Sequence, residues 1–167
     1  MAFEMNRIVT ILLVFLASGV CAQTEPSILT IPSVHVKSME GTTISTANII
    51  QAKGTYLILF WKSCCPINKI LMDEISEMID ENDLQDSLTV YAFCVDDTRS
   101  YSKAQSLAIS SDWPFQFYFD VNSDFKRAMS VVLTPSFFLV ENHNLIMRTN
   151  GFDHGQIDEL LTNLNQQ

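Results

Sequence analysis

A chain of 167 residues with 19 acidic and 10 basic side chains carries a formal charge of -9 and has no basic excess to offer nucleic acid or an anionic membrane. Its length suits one domain rather than two, and 47% hydrophobic residues, including eleven Phe, supply a core that needs no disulfide to hold it. The acidic surplus excludes those partners without naming another, because acidic surfaces also serve solubility.

At the start of the chain, Arg7 precedes the apolar run IVTILLVFLASGV, and the polar QTEPS follows. This pattern predicts a secretory signal over residues 1–22, cut between Ala22 and Gln23, with the domain occupying 23–167. Export would place the domain in the bacterial periplasm. The apolar run falls short of a comfortable spanning helix of about 20 residues. Retention as an anchor facing the periplasm is the alternative, and Cys21 raises a third, lipid attachment. Val20 departs from the small residue that lipid attachment wants, and membrane contact is expected only if the segment is retained or lipidated. Cleavage leaves Cys64, Cys65 and Cys94, an odd number, so at least one thiol is free, modified or shared with another chain.

IPSVHVKSMEGTTIS alternates around Val34 and Val36 with a turn signal at Glu40-Gly41, which predicts a hairpin over 34–45. Thr46 then caps a helical turn running to about Gln51. After the break at Lys53-Gly54, TYLILFW reads as a strand covered on both faces. Beyond Cys65-Pro66 the period changes: Leu71, Ile75, Met78 and Ile79 share one helical face, and the helix should end near Asn82. Ser63 is its predicted cap, and Pro66 is tolerated in the first turn.

SLTVYAFCVDD gives a strand over 88–95, and a helix covers about 100–109. WPFQFYFDV alternates as a short strand at the margin of the sheet, and NSDFKRAMS follows as a short helix or turn. PSFFLVENHNLIMRTNGF is a hairpin turning at Glu141 to Asn144. Asp153 caps a closing helix with Ile157, Leu160, Leu161 and Leu164 on its apolar face. The order predicts an α/β sandwich, a central mixed sheet with helices on both faces.

Cys65 falls at a strand-to-helix junction, where unpaired N–H groups and the positive helix end favour a thiolate. Such positions lower a cysteine pKa from about 8.5 into a range of about 3.5–7.5. Lys62 and Lys69 add positive charge in the same stretch. Cys94, inside YAFCV, reads as an inert core cysteine.

FWKSCCPIN resembles the active-site stretch of thioredoxin-like proteins, most closely the exported thiol–disulfide oxidoreductases of the TlpA/ResA type. The resemblance extends over most of residues 32–165, including the VDD after the second main strand and the NGF before the last helix. It implies that Cys65 is the nucleophile, with Cys64 as an accessory thiol where the family usually has Trp. LTPSFFLV resembles the loop whose cis-proline packs on the active-site cysteine. Substrate contact then falls to Trp61, Pro66, Thr134 and Pro135. The implied partners are a protein or low-molecular-weight thiol or disulfide, with an external reductant protein, and no cofactor or metal is implied.

Two departures are chemical. Asn68 stands on the resolving cysteine, so a mixed disulfide on Cys65 lacks its usual internal exit. Leu59 stands where relatives often carry Asp or Asn, which removes the buried carboxylate beneath the site. A single-thiol oxidoreductase or isomerase answers the first departure, because those reactions need one nucleophile. Resolution by Cys64 would need a strained eight-membered ring, and Cys94 should be buried away from the mouth. From another class comes a non-catalytic peptide-binding or chaperone-like module. Copper delivery finds His35, His143 and His154 in turns or strands away from the cysteines. Peroxidase chemistry finds Lys62 where peroxiredoxins carry Thr or Ser.

Overall fold

Two runs without polar alternation, TYLILFW and LTVYAFC, become the central strands. In the computed structural model, which describes residues 27–50, 53–153 and 155–165, β4 (Thr55–Trp61) and β5 (Leu88–Cys94) run parallel, in register from Thr55↔Leu88 to Trp61↔Cys94. A strand covered on both faces must be apolar at successive positions, and no residue from Tyr56 to Trp61 is more than 2% exposed. The predicted signal segment with Cys21, the cut site, Gln51 and His154 lie outside the described residues.

The other strands are β1 (Ser27–Ile28), β2 (His35–Lys37), β3 (Thr43–Ser45), β6 (Gln116–Phe119), β7 (Ser136–Glu141) and β8 (Asn144–Arg148). All eight form one mixed sheet in the order β1-β8-β7-β4-β5-β6-β2-β3. Five helices accompany them among the described residues: α1 (Thr46–Ile49), α2 (Pro66–Glu81), α3 (Tyr101–Ser110), α4 (Asp124–Ala128) and α5 (Gln156–Leu164). Alternate residues of β4 serve opposite layers. Leu57, Leu59 and Trp61 join Leu71 and Ile75 of α2, Ala104 of α3 and Leu160 of α5. Tyr56, Ile58 and Phe60 join Ile49 of α1 and Phe125 of α4. The sandwich is therefore α/β with helices on both faces.

Three predicted caps are used differently. Thr46 Oγ1 donates to the Pro32 carbonyl at 2.6 Å and accepts the Val34 N–H at 3.0 Å, so Ser45 caps α1 instead. The Ser63 side chain turns to Asp96, and Cys65 occupies the cap position of α2. Asp153 Oδ1 accepts the Gly155 N–H at 3.2 Å, one turn ahead of α5, whose cap residue is Gly155.

The β6 strand is not at the margin, because β2 pairs with it through Lys37↔Phe119 and the predicted hairpin extends the sheet by two strands. At the other end β1 adds a strand that sequence patterning missed, pairing Ser27↔Leu145 and Ile28↔Asn144. The β7–β8 turn holds Asn142 and His143 at φ 46° and 73°, the left-handed pair that a two-residue hairpin turn requires. Asn142 also exchanges hydrogen bonds with Gly54, its N–H donating at 3.0 Å and its Oδ1 accepting at 3.2 Å, which ties the turn to the start of β4.

Candidate active site

The chain leaves β4 at Trp61 and enters α2 at Pro66 through a loop of four residues, Lys62 to Cys65. A short loop over a sheet end needs partners for its N–H groups. Two buried side chains supply them. Asn68, fully buried in the first turn of α2, accepts the Lys62 N–H on Oδ1 at 3.0 Å, while its own N–H donates to the Cys65 carbonyl at 3.1 Å. Asp96, 6% exposed just beyond β5, accepts the Ser63 N–H at 3.0 Å and the Ser63 hydroxyl at 2.5 Å on one oxygen. Asn68 is thus a structural clip for the loop, a role invisible when it is read only as a missing cysteine.

Cys65, half-buried, caps α2 in extended backbone with its side chain free of any cap hydrogen bond. Pro66, exposed, opens the helix. On the neighbouring strand, Phe60 pairs with Ser136, so Thr134 and Pro135 stand at the sheet end from which the cysteine loop departs. The Thr134-Pro135 peptide bond is cis, with Thr134 half-buried and Pro135 buried. Ser136 fixes this loop, its hydroxyl donating to the Leu133 carbonyl at 2.8 Å and accepting the Gly151 N–H at 3.1 Å. Val132 and Leu133, 70% and 54% exposed, present apolar surface just before it.

The expectation that Trp61 touches substrate is corrected. Trp61 is 1% exposed and packs edge-on against Trp113 and Phe117, with ring centroids 6.1 and 6.0 Å away. It builds the layer behind the loop. Lys69 is likewise committed elsewhere: its ammonium pairs with Asp73 at 2.7 Å and lies over the Trp113 ring, whose Nε1 donates to Asp73 at 2.9 Å.

Cys64, Cys65 and Cys94 are all free thiols. Cys94 is buried opposite Trp61 in the β4–β5 register. Burial pushes its thiol far above the ordinary range, opposed by the Asp96 N–H and reinforced by the Asp96 carboxylate, with the Ser63 N–H also opposing. Cys94 is therefore core, as its strand implied, but it lies under the loop rather than away from it. Leu59 is fully buried and apolar, and Asp96 brings a carboxylate to the loop from a different strand end. Sequence reading missed the role of this residue, and the only available signal was the VDD run that follows β5.

The exposed Cys64 faces a separate cleft of about 350 Å³, whose lining includes Lys62 and Asp96 but not Cys65, Thr134 or Pro135. Among the described residues no three His, Cys, Asp or Glu side chains converge in a way that could hold a metal ion. His35 and His143 are exposed, on β2 and in the β7–β8 turn. No described helix is long and apolar enough to cross a membrane.

Strand order, the cis-proline loop and the helix that follows the cysteine loop together define a thioredoxin-like fold. No protein-family model matches the sequence, and no curated protein matches it. Among solved structures the chain is similar to an uncharacterized thioredoxin-like protein from Porphyromonas gingivalis, at 26% identity and a TM-score of 0.71, covering 81% of this chain and 90% of that one. A putative thiol:disulfide interchange protein, DsbE, from Chlorobium tepidum matches at 16% identity and a TM-score of 0.63, over 81% of this chain and 93% of that one. The pneumococcal exposed lipoprotein thioredoxin of Streptococcus pneumoniae matches at 15% and 0.62, over 81% and 100%. By fold, the chain is a member of the thioredoxin-like superfamily.

Proposed function

We propose that the protein carries out thiol–disulfide exchange on its substrates outside the cytoplasm with Cys65 as the nucleophile. The observation that carries this reading is the division within the cysteine loop. Cys65 is partly exposed at the start of a 16-residue helix, while Asn68, at the resolving position, is fully buried and engaged in holding Lys62. The Cys65 thiolate attacks one sulfur of a substrate disulfide, the S–S bond breaks, and the departing thiolate takes a proton from solvent. A thiol on the substrate or on a second molecule then attacks the mixed disulfide and returns Cys65 to its reduced form. Exported proteins or small disulfides are the substrates, with Pro66, Thr134 and Pro135 beside the attacking sulfur. The thioredoxin-like neighbours, two of them described as an interchange protein and an exposed lipoprotein, are consistent with this chemistry and location.

Mixed-disulfide trapping tests the reading. Reduced protein is mixed with a peptide bearing an activated disulfide, quenched with acid and analysed by mass. Capture should stay fast in Cys64→Ser and slow markedly in Cys65→Ser, where only the exposed Cys64 thiol is left to react. Equal capture by Cys65→Ser and wild type would overturn it. Exposed Val132 and Leu133 also fit a non-catalytic peptide-binding module, which would bind a disulfide-free peptide while trapping nothing.

A further inference from the structure

Cys64 and Cys65 are adjacent in the chain but serve different surfaces. The cleft that Cys64 lines opens across the carboxyl ends of β4, β5 and β6, with Lys62, Asp96, Ser100, Asn122 and Ser123 among its walls. Three loops far apart in sequence converge there, in the region of an α/β sheet where small ligands commonly bind. Its volume of about 350 Å³ admits a small molecule and not a folded partner.

The polar groups of the cleft are not self-satisfied. Lys62 has no ion pair among the described residues. Asp96 is nine-tenths buried and has no cationic partner among the described residues: its carboxylate takes the Ser63 N–H and hydroxyl and lies against the Cys94 thiol, all uncharged. Ser100 and Ser123 precede α3 and α4 without side-chain cap hydrogen bonds. Asp97, by contrast, is already closed by the Arg99 guanidinium and the Ser100 N–H. What remains is one unpaired cation, one carboxylate lacking a cationic partner, and one exposed thiol.

We propose that this cleft binds a low-molecular-weight aminothiol of the cysteine class, its carboxylate toward Lys62 and its ammonium toward Asp96, and holds it as a mixed disulfide on Cys64. The oxidant is the symmetrical disulfide of the aminothiol. Cys64 gives its proton to solvent, its thiolate attacks one sulfur, the S–S bond breaks, and one equivalent of free aminothiol leaves after taking up a proton. This goes beyond exchange at Cys65 and does not depend on it, so the experiment is performed in Cys65→Ser.

That protein is treated separately with cystine, cystamine, dithiodiglycolate and hydroxyethyl disulfide, which carry both charges, ammonium only, carboxylate only and neither. Each rate is read from intact mass, assigned by peptide mapping, and divided by the rate with an unstructured peptide containing one cysteine. The normalised cystine rate should exceed that of hydroxyethyl disulfide by at least about tenfold, the low end of electrostatic enrichment in a charged cleft. Lys62→Met should remove the advantage of carboxylate-bearing probes. Asp96→Asn, which keeps an acceptor for Ser63, should remove that of ammonium-bearing probes. Equal normalised rates across the four probes would overturn the proposal, a comparison that needs no change at Lys62 or Asp96. So would a cystine preference that survives both substitutions, because Cys64 would then be only an exposed thiol.

Discussion

Asp120 is the most confined carboxylate near the sheet end, 1% exposed beyond β6, with Oδ2 accepting the Lys126 N–H at 2.8 Å and Oδ1 unpartnered among the described residues. Burial raises its carboxyl above the ordinary range, against the pull of the Lys126, Phe125 and Asp124 N–H groups. An acid with a higher pKa folded than unfolded binds more protons in the native state. Its contribution is therefore most favourable below the unfolded value of about 3.9 and is lost as pH rises through the folded one. Asp120→Asn keeps an acceptor and has no such proton to lose. Urea unfolding should show the variant gaining on wild type from pH about 4 to about 7, and a constant difference would refute the assignment.

At the scale of the element, the loop between β4 and α2 is held by side chains rather than by its own sequence. Asn68→Ala would leave the Lys62 N–H without its partner, at a cost of about 1–3 kcal/mol in denaturant unfolding. Asn68→Cys would restore the two-cysteine spacing while removing the same clip. It should therefore gain an internal disulfide with Cys65 on oxidation, seen as the loss of two titratable thiols, and still unfold earlier than wild type when reduced. An undiminished midpoint in both variants would show that the clip contributes nothing.

These contacts mark the limit of what local sequence conveys. Strand and helix identities were legible because TYLILFW is a short, continuous apolar run and the Leu71, Ile75, Met78, Ile79 stripe carries the helical period. The partner of Ser63 was not, because Asp96 arrives from another strand end, and nothing local distinguishes a cap from a tether. Trp61 was misjudged for a related reason: a strand apolar at every position has no alternation to reveal which layer its last side chain enters. The two-residue β1 was too short to carry any period.

For the molecule as a whole, the two layers on either side of the sheet supply the cohesion, and Cys64, Cys65 and Cys94 are free. The thermal or urea midpoint of the described domain should accordingly be the same with and without a reductant. A fall on reduction would point to a covalent link that the free thiols do not provide. The Cys65 position and the cis-proline loop were readable as motifs because each lies within a few residues of chain. The Cys64 cleft was not, because its walls come from three separated loops that meet only when the sheet is assembled.

Among the described residues the sheet ends in β1 on one side and β3 on the other, strands of two and three residues. An open strand edge is a template for any extended chain, and brevity is one way that proteins blunt it. Exchange with extended protein substrates, one of the two substrate classes of the proposed chemistry, would expose the domain to such pairing repeatedly. With its longer strands all internal, the described sheet leaves an extended chain little open backbone edge on which to build.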